Sequence, residues 1–160
     1  MRITQFPDGF KKVASDLAYR YEAEYHGCSQ AVLAALMELL GISDDLLLTS
    51  ASCLAGGCTR GLTCGALTAG LMILGLKYGR RRLEDGMDAL GPCYEAGIEL
   101  VDRFLEEYGS TGCRDVVGYD FSDPAQVEAF WSIPEAHEKA FRAAANVAGW
   151  TAEIISRRGL

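Results

Sequence analysis

The sequence predicts an all-α protein, a single-domain bundle of five to seven helices around a buried apolar central helix. Three observations carry this. Apolar residues recur at i, i+3 and i+4 in successive segments. No segment alternates with the period of two that a half-buried strand requires. Glycine, proline and capping residues interrupt the helical patterns at short intervals, so the connections are short. With 160 residues, 49% of them apolar, the chain suits one domain over residues 1–160 with a core of ordinary size.

The first helix places Phe10, Val13, Ala14, Leu17, Ala18 and Tyr21 on one face. Lys11, Lys12, Asp16, Arg20 and Glu22 are expected on the other, and His26-Gly27 ends it. A second helix, Ser29 to Leu40, carries Glu38 as its one charge, so it is expected to be buried on nearly all sides. Ser43 is the expected N-cap of a short helix that opens on Asp44-Asp45 and runs towards Cys53.

A glycine-rich loop follows. Thr63 is then expected to cap the central helix, Cys64 to Tyr78, whose Ala66, Ala69 and Gly70 form a smooth stripe for close packing. The long helical pattern from Leu83 to Tyr108 is broken at Gly91-Pro92, since proline lacks a backbone donor and clashes with the preceding turn. Beyond the break Tyr94, Ile98, Val101, Phe104, Leu105 and Tyr108 keep the helical spacing, and Tyr94, Tyr108 and the phenylalanines read as core. Cys113 begins a short helical piece, Ser122-Asp123-Pro124 starts another helix towards Trp131, and Pro134 opens the last.

Composition narrows the function. A net charge of −7 argues against nucleic acid, whose phosphates need a basic surface. The uncharged run from Leu62 to Leu76 falls short of the roughly twenty residues of a membrane span. Met1 to Pro7 is short and polar, without the apolar core of an export signal. Six cysteines with no such signal point to the reducing cytoplasm, where thiols bind metal, carry redox chemistry or pack.

Residues 53–70 hold three cysteines, five glycines and one cation, Arg60, in eighteen positions. Gly56, Gly57, Gly61 and Gly65 would let the backbone approach a sulfur or a cofactor closely, with Arg60 adding charge, and these five are the candidate cofactor-binding residues. Cys28, Cys64 and Cys113 fall at expected helix starts, where free amides and the helix dipole lower a thiol pKa from about 8.5 towards 7 or below. They are the candidate redox residues. Arg60 and Arg114 stand near in sequence and add to the expected effect. Cys53 and Cys58 match neither CxxC nor a zinc ribbon, and Cys93 reads as a packed thiol. His26 serves either as a ligand or tuning group beside Cys28 or as a solvated cap, and His137 is expected to be partly exposed.

Taken in order, Cys28-Ser-Gln-Ala-Val, the glycine-rich loop, Thr63-Cys64-Gly-Ala-Leu-Thr-Ala-Gly70, Gly75-Leu-Lys-Tyr-Gly79 and Gly109-Ser-Thr-Gly-Cys113-Arg resemble the C_GCAxxG_C_C family. Its members are regarded as redox-active from their cysteines and are related to the split-Soret type of cytochrome c. The resemblance covers about Tyr25 to Asp120 and carries the family cysteines onto Cys28, Cys64 and Cys113. It also implies a fourth cysteine in the C-terminal helix, where this chain has His137 and alanines; Cys53 or Cys58 would have to replace it. There is no CxxCH, so covalent c-type haem is not expected.

Three functions follow as expectations. The first is a metal or iron–sulfur centre for electron transfer, held by Cys28, Cys64 and Cys113 with Cys53 or Cys58. The second is a thiol–disulfide oxidoreductase in which Cys64 attacks and Cys28, Cys58 or Cys113 resolves. The third is a non-catalytic helical module with packed cysteines. A redox partner protein or a small electron donor, and pairing of the chain with a copy of itself, complete the expectation.

Overall fold

Eight α-helices follow one another along residues 9–159, the part of the chain that the computed structural model describes. Met1 to Pro7, read above as lacking an export signal, lies outside the described residues. The helices are α1 (Phe10–Tyr25), α2 (Cys28–Leu40), α3 (Asp45–Ser50), α4 (Gly65–Tyr78), α5 (Gly91–Tyr108), α6 (Cys113–Val117), α7 (Pro124–Ser132) and α8 (Glu138–Arg158). Among the described residues there is no strand, only one isolated antiparallel bridge between Thr63 and Gly112. None of these helices is long and apolar enough to cross a membrane.

Helix α4 occupies the middle, touching α2, α5 and α8, while α1 lies along α8 and α2. Leu76 near its end is exposed, while Leu67, Ile73 and Leu74 are fully buried. The small-residue stripe permits this. A Cβ added at Gly70 would stand 2.7 Å from Val147 Cγ1 and 2.8 Å from both Leu100 Cδ2 and Thr151 Oγ1, so α5 and α8 press onto α4 at that point. The long pattern at 83–108 divides as expected: two short 3-10 turns precede α5, whose first turn holds Pro92.

Several local expectations are corrected. The N-cap of α3 is Asp44, not Ser43, and its Oδ1 accepts a hydrogen bond from the Leu47 N–H at 3.0 Å. The N-cap of α4 is Cys64, because the Thr63 backbone is engaged in the bridge to Gly112. Tyr94, expected in the core, is exposed, since the buried stripe of α5 is Ala96, Leu100 and Phe104. On α1, Val13 is exposed and Glu22 is buried, reversing the faces assigned to them. The reason is that Glu22 continues the stripe Phe10, Ala14, Ala18 one helical turn further.

Candidate functional site

Three chain turns meet near the start of α4. Between α1 and α2, His26 at φ 58° and Gly27 at φ 85° turn the chain so that Cys28 opens α2. The loop before α4 is a left-handed coil: Gly56, Gly57, Cys58, Thr59 and Gly61 all have φ between 62° and 71° except Cys58, at 54°. Thr59 is β-branched and pays a steric penalty of about 1–2 kcal/mol in this region. The Thr63–Gly112 bridge then holds the two remaining turns together, with the Cys64 N–H donating to Thr111 O and the Cys113 N–H donating to Leu62 O.

The glycines of this loop make room for sulfur. A Cβ at Gly65 would lie 2.8 Å from Cys28 Sγ and 2.6 Å from Leu54 O. One at Gly57 would lie 2.6 Å from Cys113 Cβ. Both distances are closer than real Cβ contacts allow. Gly57 and Gly65 therefore bring thiols and backbone together, which is a sufficient reason for glycine without any cofactor.

The charge of Cys64 acts on both Cys28 and Cys113. Desolvation pushes the Cys28 thiol well above its ordinary range, and the charges of Cys64, Glu22 and Cys113 push it further, against a hydrogen bond from the Gly56 N–H. Burial raises Cys64 too, although the Leu67 and Ala66 amides at the start of α4 favour its thiolate. Cys113 is pushed up to about 12 by burial and by Cys64, with Arg114 opposing. The expectation of thiols lowered by helix starts is thus corrected. One or two favourable amides do not compensate for removing a thiolate from water.

Beside this cluster lies a cavity of about 260 Å³. Cys28 and Cys113 line it; Cys64 is buried and does not reach its wall. The rest of the lining is largely aromatic, with Phe121, Phe130, Trp131 and Phe141 joined by His26 and His137. The His26 and His137 rings are 5.3 Å apart, and His137 Nε2 lies 3.0 Å from Phe130 O. Desolvation and His137 both lower the His26 pKa, so His26 is neutral near neutral pH.

Glu22 completes the wall and was not among the residues expected there. It is 4% exposed, and its Oε2 has no hydrogen-bond partner. Desolvation raises its pKa to about 8. The sequence did contain a signal for it, a charge standing four residues after Ala18 on the Ala14–Ala18 stripe.

The other expected site residues separate from the cluster. Cys53 is exposed, and Cys58 is half-buried without lining the cavity. Arg60 is exposed and influences none of the three thiols; the cation that does is Arg114, through Cys113. Arg114 also donates from Nε to Gly61 O at 3.2 Å and pairs with Asp120 at 3.3 Å. Gly56 lines the cavity. Cys93 is half-buried in the first turn of α5, away from all of this.

Among the described residues no three His, Cys, Asp or Glu side chains form a group that could hold a metal ion.

Comparison with known proteins agrees with the cysteine pattern. No curated protein and no solved structure matches the chain. A family model described as "Putative redox-active protein (C_GCAxxG_C_C)" matches residues 25–156, which takes in all three clustered thiols and both cavity histidines. The chain belongs to the C_GCAxxG_C_C family of redox-active proteins.

Proposed function

We propose that this protein is a thiol–disulfide redox protein whose working sulfurs are Cys28, Cys64 and Cys113. The observation that carries the reading is geometric: the Thr63–Gly112 bridge sets Cys64 beside Cys113, Cys28 Sγ lies against Gly65, and Cys28 and Cys113 open to one cavity. Cys28 is the entry thiol, because it lines the cavity and receives the Gly56 N–H. Cys64, enclosed between Cys28 and Cys113 in its electrostatic influence, is the resolving thiol. This reverses the roles expected from the sequence, since a sulfur that does not reach the cavity wall is poorly placed to meet a partner first.

In the step proposed, the Cys28 thiolate attacks one sulfur of a partner disulfide, and the partner's other sulfur leaves as a thiolate. Cys64, after losing its proton, attacks the mixed disulfide at the Cys28 sulfur. A Cys28–Cys64 disulfide forms, and the partner departs as a dithiol after taking up two protons. Two electrons pass from this protein to the partner. Glu22 supports the first step by standing near Cys28 as a carboxyl group able to exchange a proton near neutral pH. The same reading accommodates a homodimer, checked by light scattering.

Differential alkylation across a series of glutathione redox buffers tests the proposal. One pair containing Cys28 or Cys64 should titrate reversibly between dithiol and disulfide. Thiols inert throughout that series would overturn it. Anaerobically purified protein that is brown, with stoichiometric iron and sulfide, would favour the iron–sulfur reading instead.

A further inference from the structure

The cavity beside Cys28 is furnished for more than sulfur. Its wall contains one acid, Glu22, and no lysine or arginine to pair with it. A carboxyl group that is 4% exposed and has an oxygen without a partner costs free energy, which a fold of this size seldom tolerates without a use. Around it stand the rings of His26, Phe130, Trp131, His137 and Phe141, each within about 6 Å of at least one other.

We propose that this cavity binds a small organic cation, an ammonium on a single-ring or short apolar body, whose head pairs with Glu22 while its body lies among the rings. The chemistry selects this class. Aromatic rings present negative faces that attract an ammonium, most strongly where water is excluded. The same ammonium supplies the partner that the Glu22 carboxylate lacks, so each charge offsets the desolvation of the other. Anions meet Glu22 and two thiols in a wall without lysine or arginine. A space of about 260 Å³ suits a small body of this kind. The protein's net charge of −7 favours the approach of a cation in addition.

Isothermal titration of the fully reduced protein at pH 8.5, where the Glu22 carboxyl is largely ionised and benzylamine still largely protonated, with benzylamine, benzyl alcohol, acetophenone and benzoate as probes, tests this. Benzylamine should bind saturably, at least tenfold tighter than benzyl alcohol, and benzoate should not bind. Glu22→Gln should weaken benzylamine at least tenfold and leave benzyl alcohol within twofold, with an unchanged circular dichroism spectrum. Equal binding of the amine and the alcohol, tighter binding of acetophenone, or no saturable benzylamine binding would each overturn the proposal. The comparison of the four probes on the unsubstituted protein decides the matter even if Glu22→Gln fails to fold. No oxidant is present, so the result is independent of whether the thiols exchange disulfides.

Discussion

Thr63 and Gly112 face each other in one antiparallel bridge, and that pairing sets Cys64 beside Cys113. It joins two turns nearly fifty residues apart in a protein that is otherwise helical among its described residues. The bridge carries the backbone hydrogen bonds of both cysteines, so the positions of their sulfurs depend on the loop geometry on either side. Glycine at 57 and 65 permits that geometry.

Gly65→Ala should therefore destabilise the protein by about 1–3 kcal/mol, as overpacking commonly does. The new methyl would collide with Leu54 O at 2.6 Å and with Cys28 Sγ at 2.8 Å. Gly75→Ala is the control. Nothing lies within 4 Å of its added Cβ in the same helix, and a gain of about 0.5–1 kcal/mol is expected. Urea denaturation of the two variants measures both.

Glu22 makes stability depend on pH. Its carboxyl titrates near 4.5 when unfolded and near 8 when folded, so the folded state holds the extra proton between these values. Stability is then full below about pH 4.5 and falls as pH rises to about 8, at up to about 1.4 kcal/mol per unit. Glu22→Gln should flatten this slope and leave the variant more stable than the parent at pH 8.5. Thermal melts across pH 5 to 9 report the difference.

Thiol reactivity should follow exposure and charge together. Cys53 is exposed and should react first with iodoacetamide at pH 7.5. Cys28, Cys64 and Cys113, all raised in pKa by burial, should react at least tenfold more slowly until denaturant is added. Mass spectrometry of tryptic peptides with time gives the order.

Arg114→Gln should slow alkylation of Cys113 further, because the guanidinium is the one charge found to lower that thiol. It also removes the Nε contact to Gly61 O and the partly exposed pair with Asp120, for a stability loss of about 1 kcal/mol. Arg60→Gln is the contrast and should change neither quantity, since Arg60 is exposed and affects none of the clustered thiols.

The helical architecture was readable because it rests on local rules. The apolar spacing of Leu67, Ile73 and Leu74, the Gly91-Pro92 break and the Asp123-Pro124 start all act within a few residues. The same spacing pattern misplaced Tyr94, since an apolar side chain on a helix does not state which neighbour will cover it. It also passed over Glu22, whose stripe position was visible but whose charge argued for solvent.

Sequence alone determined the fold class and the family membership carried by the ordered cysteine and glycine motifs. Tertiary structure alone decided that Cys28, Cys64 and Cys113 influence one another, that Arg114 and not Arg60 acts on them, and that Glu22 joins them at an aromatic cavity. Those outcomes depend on contacts between turns distant in sequence and on how deeply each group is withdrawn from water. Burial then outweighs the amides at the helix starts and raises the very thiols that local position would lower.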